Sequence, residues 1–311
     1  MELEPILDVK ELSISFTQYG RGTNQVLLPV IRDLSLTIGP GQVVAVVGSS
    51  GSGKSLLAHG ILGILPYNSH MSGEINFLGQ PLTQRRAEQV RGKEMVLVPQ
   101  GVTYLDPLMQ VGPQLRKGKK DPQTRARFRG VLDRYGLGEE VETLYPFELS
   151  GGMARRVLIA TAAEAAPRLV IADEPTPGLD ARAARRVLGH FRELAEGGAG
   201  VLLITHDLEL ALTIAHRVTV FYAGVTIEEA DGADFAAGKL RHPYTRALWN
   251  ALPQNGFVPI PGAQPGPGEG GEGCPLAPRC PRRRPECLGK IPYRPLDGGR
   301  VRCLYPEGGD L

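Results

Sequence analysis

The sequence lacks a long apolar run. Its longest apolar segments, such as Val43–Val47 and Val201–Ile204, have the length of a buried strand, whereas a membrane-spanning helix needs about 20 apolar residues. The first residues also lack the pattern of a secretory signal peptide. We therefore expect a cytoplasmic chain that can act at a membrane only through partner subunits.

An excess of charge of one sign is also absent. Lys and Arg total 35 and Asp and Glu total 33, which leaves a net charge of +2 over 311 residues. Such a balance gives no general attraction to nucleic acid or anionic lipid, and the basic run at 116–120 is expected to be a solvated loop. The length allows one large domain with an appendage.

Short β-branched runs alternate with helical patterns up to about residue 235. This alternation predicts an α/β fold with a parallel sheet covered by helices on both faces. Residues 107–165 lack strand-like runs and look helical. The predicted strands are Ile6–Phe16, Leu34–Thr37, Val43–Val47, Glu74–Phe77, Met95–Val98, Leu169–Ala172, Val201–Ile204 and Val218–Tyr222. The clearest predicted helices start at Lys54 or cover Arg125–Tyr135, Arg155–Ala166, Ala181–Ala195 and Leu208–His216.

A glycine-rich segment follows the strand Val43–Val47 and opens a helix, which is the context of a phosphate-binding loop. Glycines leave room for backbone N–H groups to surround the β-phosphate, and the helix N-terminus adds partial positive charge. Lys54 would reach the β- and γ-phosphates, and the Ser55 hydroxyl would ligate Mg²⁺. Alone, the segment predicts only a nucleoside triphosphate. Its members are Gly48, Ser49, Ser50, Gly51, Ser52, Gly53, Lys54 and Ser55.

A second apolar strand, Leu169–Ala172, ends in two carboxylates. Asp173 is placed to hold Mg²⁺ through water, and Glu174 is suited to polarise the attacking water as a general base. Taken alone, such a pair could also simply end a strand on a solvated face. The pair becomes informative only together with the phosphate-binding segment.

Ser150, Gly151 and Gly152 precede a helix and form a second candidate anion site, with a hydroxyl and open N–H groups at a positive helix end. One nucleotide in one chain does not need two such sites. The second one makes sense if it closes over ATP held by another subunit. As an isolated segment it could also be only a helix cap.

The order of these elements along the chain decides between the alternatives. A sequence with this order resembles the ABC transporter ATPases, and the resemblance covers roughly residues 6–235. The matching positions are Gly48–Ser55 (Walker A), Gln100 (Q-loop), Leu149–Met153 (signature), Asp173–Glu174 (Walker B), Leu179 and Asp180 (D-loop) and His206 (switch histidine). Phe16 matches the aromatic residue that stacks on adenine, with Tyr19 as the alternative.

The resemblance implies a RecA-like nucleotide-binding domain over residues 1–235 with a helical subdomain at about 101–165. Two such domains would pair head to tail around two ATP molecules. Gln100 would ligate Mg²⁺ and sense the γ-phosphate, and His206 would contact the γ-phosphate beside the base Glu174. ATP binding would close the dimer and hydrolysis would reopen it.

Three segments resemble the peptide/nickel importer branch of that family: Tyr145–Met153, Ile171–Thr176 and His242–Leu248. This implies an ATPase for uptake of di- or oligopeptides or of nickel, free or chelated, at the cytoplasmic face of the membrane. Its partners would be two permease subunits, a second ATPase expected to be a paralogue and an external solute-binding protein, with no nucleic acid. A soluble, non-transport ABC ATPase is the alternative, and a module that binds ATP without hydrolysis is disfavoured by the intact Glu174 and His206.

The chain departs from the branch at several positions. The stretch from Gln100 to Leu149 is short for a peptide importer and resembles nickel-importer subunits, whereas the cysteine tail favours peptides. Arg155 stands where the branch usually has Gln, and Gly178 stands where the D-loop usually has Ala. The second change could loosen coupling across the dimer.

Residues 236–311 form a C-terminal extension that is rich in proline and holds all of the cysteines. We expect a linker joined to a cross-linked segment. Cytoplasmic thiols stay reduced, and four thiolates without a His nearby in sequence fit a [4Fe–4S] cluster or a zinc site, with free thiols as a third alternative. The importer branch has a similar tail with an iron–sulfur cluster, which favours the cluster. The four residues are Cys274, Cys280, Cys287 and Cys303.

Overall fold

The computed structural model describes residues 4–20, 24–49, 51–101, 104–258, 260–269 and 271–307. The strands in these ranges are β1 (Leu7–Tyr19), β2 (Gln25–Ile38), β3 (Val43–Val47), β4 (Ser69–Phe77), β5 (Gln80–Pro81), β6 (Met95–Val98), β7 (Leu169–Asp173), β8 (Gly200–Thr205), β9 (Arg217–Tyr222), β10 (Val225–Asp231), β11 (Arg294–Leu296) and β12 (Gly299–Val301). The α-helices are α1 (Lys54–Leu62), α2 (Gln84–Val90), α3 (Val111–Leu115), α4 (Pro122–Arg134), α5 (Gly151–Glu164), α6 (Ala181–Glu196), α7 (Leu208–Leu212), α8 (Gly232–Ala236) and α9 (Pro243–Asn250).

The centre of the fold is a parallel layer in the order β9-β3-β8-β7-β6. In β3, Val43, Ala45 and Val47 face one hydrophobic core, and Val44 and Val46 face the other. A strand buried on both faces has no polar side, which explains the unbroken apolar run. The prediction of a parallel sheet covered on both faces is confirmed for this layer.

The remaining strands are mainly antiparallel, so the predicted parallel sheet forms only the central layer of a larger mixed sheet. Strand β1 pairs antiparallel with both β2 and β4. Residues 20–24 join β1 to β2, and a parallel crossover needs a dozen or more residues. Strand β10, which the sequence analysis missed, follows β9 after the short turn Ala223–Gly224, where both residues have positive φ.

The described part of the region between β6 and β7 contains helices and no strand. Helix α4 is capped by Asp121, whose carboxylate accepts the Thr124 N–H at 2.8 Å, and Pro122 occupies its first position. Phe128 and Leu132 of α4 are buried in the first core together with Val157 of α5. This packing attaches the helical region to the parallel layer.

The C-terminal extension adds a strand to the sheet rather than being held by cysteines alone. Strand β12 pairs antiparallel with β10, with Val301 opposite Glu228. The fully buried Glu228 carboxylate accepts the backbone N–H groups of Arg241 and His242 at 2.9 and 2.8 Å. Burial raises the pKa of Glu228, and these hydrogen bonds oppose the shift. A three-residue strand leaves no periodic signal in the sequence, so the pairing was not foreseen.

Candidate functional site

The phosphate-binding segment forms the turn between β3 and α1. Gly51 and Gly53 have φ values of 76° and 95°, a left-handed conformation that favours glycine. A Cβ on Gly48 would lie 2.1 Å from the backbone oxygen of Phe221 on β9. The glycines are therefore required by backbone geometry as well as by phosphate access. Ser50 lies outside the described residues.

We expect Gly48→Ala to destabilise the fold by about 1–3 kcal/mol, because the added methyl group forces β9 away from the loop. Urea unfolding monitored by circular dichroism measures the change. Gly130→Ala is the matched control: Gly130 is exposed in α4 with open space around its Cβ position, and alanine there should stabilise by up to about 1 kcal/mol. Wild-type stability in Gly48→Ala would contradict the packing described.

Lys54 is buried within this turn. Its Nζ donates hydrogen bonds to the backbone oxygens of Gly48 and Ser49, both at 2.9 Å. Burial lowers the pKa of Lys54, and the nearby carboxylates of Glu174 and Asp173 oppose that shift. The cation is thus held at the first turn of α1, facing the two acidic groups.

Ser55 and Asp173 meet although they lie 118 residues apart in sequence. The Ser55 hydroxyl donates to Asp173 Oδ1 at 3.1 Å. Burial raises the pKa of Asp173, while the Ser55 hydrogen bond opposes the shift. A hydroxyl and a carboxylate oxygen at this spacing fit Mg²⁺, which keeps several waters and is held by one or two protein groups plus substrate phosphates.

Glu174 and His206 form a second contact at the same edge of the sheet. His206 Nδ1 lies 2.8 Å from Glu174 Oε2. Glu174 is buried and has a φ of 46°, and such strain in a non-glycine residue concentrates at functional sites. Its N–H donates to the Ile204 oxygen on β8 at 2.9 Å, which fixes the strained turn.

Gln100 lies two residues after β6 and is exposed. Its backbone oxygen accepts a hydrogen bond from Arg155 Nη1 at 2.5 Å, and the same guanidinium donates to the oxygens of Pro99 and Pro177 at 3.2 and 3.4 Å. Arg155, treated in the sequence only as a departure from Gln, therefore links the helix after Ser150 to the Gln100 loop and to the turn after Glu174. The positive charge of Arg155 was the feature of the sequence that could have indicated this linking role.

The Ser150 segment and Asp180 each begin a helix. Ser150 Oγ accepts the Met153 N–H at 3.2 Å, so Ser150 caps α5 and remains exposed. Asp180 caps α6 through the Ala183 N–H at 2.8 Å. Gly178 has a φ of 77°, which gives the unexpected glycine a physical reason, because alanine would be strained there.

The two aromatic candidates for the adenine site differ in exposure. Phe16 in β1 is partly buried and packs against the second core. Tyr19, at the end of the same strand, is 74% exposed. The choice of Phe16 stays a prediction.

The four cysteines line one cavity within the extension. Its lining includes Cys274, Cys280, Cys287, Cys303 and also His242, and none of the thiols forms a disulfide. Burial raises the pKa of Cys274 to about 12. In the described part of the chain, no group of three or more His, Cys, Asp or Glu is tight enough to hold a metal ion. No histidine is near the cysteines in sequence, but folding places His242 Nε2 3.8 Å from Cys274 Sγ.

Comparison with known proteins identifies the family. A family model described as ABC transporter matches residues 31–177, and one described as oligopeptide/dipeptide transporter, C-terminal region, matches residues 227–287. The chain is 36% identical over 324 residues to the dipeptide transport ATP-binding protein DppD of Escherichia coli (strain K12), with 97% of each chain covered. The chain belongs to the ABC transporter ATPases.

Other proteins to which this ABC ATPase is similar are also subunits of transport systems. It is 37% identical to the oligopeptide transport ATP-binding protein OppD of Mycobacterium tuberculosis, over 92% of this chain and 49% of that one. A solved ATP-binding subunit of an ABC transporter matches with a TM-score of 0.60 and 28% identity, covering 75% of this chain and 92% of the other. The cbiO1 structure from Clostridium perfringens matches with a TM-score of 0.62 and 27% identity, covering 76% of this chain and 92% of the other.

Among the described residues no helix is long and apolar enough to span a membrane.

Proposed function

We propose that this ABC ATPase powers the uptake of di- and oligopeptides through separate permease subunits. The observation that supports this most is the alignment with a dipeptide transport ATP-binding protein over 97% of both chains. The matched C-terminal region, residues 227–287, extends the likeness beyond the nucleotide-binding core. Nickel has no support among these relatives and stays a prediction.

In the proposed mechanism, Glu174 accepts a proton from the water that attacks the γ-phosphate. His206, 2.8 Å from that carboxylate, orients it and contacts the γ-phosphate. Lys54 offsets the phosphate charge from within the loop. Ser55, Asp173 and Gln100 would hold Mg²⁺, which supplies further charge neutralisation when bound.

We propose that the active form is a head-to-tail pair of ATPase subunits on two permeases. Ser150 and Gly151 lie exposed at the N-terminus of α5, where a second subunit can bring its ATP, and Asp180 lies exposed at the start of α6. The second ATPase is proposed to be a paralogue, and an external solute-binding protein delivers the peptide. The chain would act at the cytoplasmic face of the membrane, without nucleic acid.

We also propose that residues 1–235 are the nucleotide-binding domain, with the helical subdomain at about 101–165, and that residues 236–311 are an extension built on a [4Fe–4S] cluster. The four thiols line one cavity, and four thiolates can ligate a [4Fe–4S] cluster or a zinc ion; the similar tail of the importer branch is the reason for proposing the cluster. The cluster would have a structural role and would stabilise the folded extension. Iron and acid-labile sulfide in protein purified without oxygen would support it, whereas zinc or four free thiols would contradict it.

The proposed solute is tested by uptake of labelled dipeptide and of labelled nickel in cells that lack the endogenous chain. Cells carrying the wild-type chain should accumulate dipeptide, and cells carrying Glu174→Gln should not. Loss of nickel uptake alone would make nickel the solute. If the variant changed neither, the transport assignment would fail in favour of a soluble ABC ATPase.

A further inference from the structure

The C-terminal extension reaches the phosphate-binding loop. The Ser49 hydroxyl donates a hydrogen bond to Gln264 Oε1, although the two residues are 215 positions apart in sequence. Gln264 lies in residues 260–269, here called the linker strap. A cavity between strap and loop is lined by Gly51 and Ser52 on one side and by Gln264, Pro265 and Gly266 on the other.

The linker strap is fixed at both of its ends. Arg279 donates to the backbone oxygens of Gly262 at 3.0 Å and Ile260 at 3.4 Å. At the other end, a Cβ on Gly268 would lie 2.9 Å from Leu28 Cδ1, so the backbone of the strap packs closely against this side chain of β2. The ring of Pro265 restricts the backbone next to Gln264. The amide of Gln264 is therefore presented to the loop by an ordered segment.

A second residue of the extension contacts the same serine. Tyr244 is buried beside Ser49. Its ring lies against Tyr222, with centroids 4.2 Å apart, and Tyr222 follows Phe221, whose oxygen abuts Gly48. The hydrogen bond to Gln264 and the nearby Tyr244 thus place two side chains of the extension beside Ser49.

The orientation of Ser49 matters because its backbone oxygen is one of the two acceptors of Lys54 Nζ. Fixing the Ser49 hydroxyl therefore also fixes the peptide group that orients the cation of the ATP site. A loop that is ordered before the ligand arrives loses less conformational freedom on binding, which raises affinity.

We propose that Gln264 is a positioning residue of the ATP site, which holds the phosphate-binding loop through Ser49 in the conformation that binds nucleotide. This rests on the binding and hydrolysis of ATP under the proposed function. Loss of one hydrogen bond of ordinary strength predicts that Gln264→Ala raises the Kd and KM for ATP about 2- to 10-fold. Because Gln264 lies outside the Glu174–His206 contact, kcat should change less than twofold.

The experiment titrates a fluorescent ATP analogue with Mg²⁺ onto the purified full-length chain and measures steady-state hydrolysis by its complex with the partner ATPase and permeases. Gln254→Ala is the control, an exposed glutamine in the same extension, and should behave as wild type. Ser49→Ala should weaken binding as Gln264→Ala does, and the double variant should be no weaker than either single one, because both remove one interaction. The Ser49→Ala arm still tests the contact if Gln264→Ala fails to fold.

An unchanged Kd in Gln264→Ala, a tighter Kd, or fully additive effects of the two substitutions would overturn the proposal. A fall in kcat without a rise in KM would also overturn it, since that would place Gln264 in the chemical step. Failure of the proposed function looks different: the complex with the wild-type chain would then show no ATP turnover or no peptide uptake.

Discussion

Replacing Glu174 by Gln should lower ATP turnover by about 100- to 10,000-fold and leave ATP binding intact. Glutamine keeps the size of the side chain but cannot take a proton from water, and a positioned general base contributes a factor of this order. The contact with His206 at 2.8 Å places the carboxylate oxygen for that step. Phosphate release measured with excess Mg²⁺-ATP gives turnover, and titration with a fluorescent analogue gives affinity.

Glu209→Gln is the matched control for this experiment, because Glu209 is an exposed carboxylate at the start of α7. It should hydrolyse ATP at the wild-type rate. With turnover blocked, Glu174→Gln should also accumulate as the ATP-bound dimer, which light scattering detects. Turnover within a few-fold of wild type in Glu174→Gln would remove Glu174 from the role of base.

Lys54→Met should weaken ATP binding by about 10- to 100-fold, since it removes charge-assisted hydrogen bonds to phosphate, each worth about 1.5–3 kcal/mol. In the structure Lys54 Nζ is held 2.9 Å from two backbone oxygens of the loop, so the loop itself fixes its position. The substitution also removes one of the positive groups that act on the buried Asp173. Isothermal titration with Mg²⁺-ATP measures the loss.

Lys93→Met, at an exposed lysine before β6, controls for the general effect of losing one positive charge and should bind ATP normally. Thermal unfolding of both variants separates a binding defect from a folding defect. If Lys54→Met bound ATP as tightly as wild type while remaining folded, the loop would not be the phosphate site.

The parallel layer was predictable because its strands are buried on both faces, which leaves apolar runs such as Val43–Val47. The antiparallel strands were harder to predict. In β2, which runs from Gln25 to Ile38, only the end Leu34–Thr37 was recognised. Strand β10 carries the buried acids Glu228 and Glu229, so its sequence resembles that of a polar surface segment. Their charge is compensated by residues distant in sequence, which no local pattern shows.

The residues of the candidate ATP site also divide into those that a local sequence pattern marks and those that it does not. Ser55, Asp173 and Glu174 were predictable because their chemistry depends on short motifs next to strands, and the structure brings them together. Arg155 and Gln264 were not, since each acts through backbone or hydroxyl groups of a distant loop. His242 was missed beside the cysteines for that reason: it lies 32 residues before Cys274 and approaches it only after α9 docks.

The most direct test of the central claim uses liposomes that hold this ABC ATPase with its permeases, and compares ATP hydrolysis with and without dipeptide and its binding protein outside. We expect dipeptide to raise the hydrolysis rate of the wild-type complex and to drive peptide accumulation, and Glu174→Gln to abolish both. Hydrolysis that proceeds at one rate whether or not dipeptide is present, with no accumulation, would contradict the account.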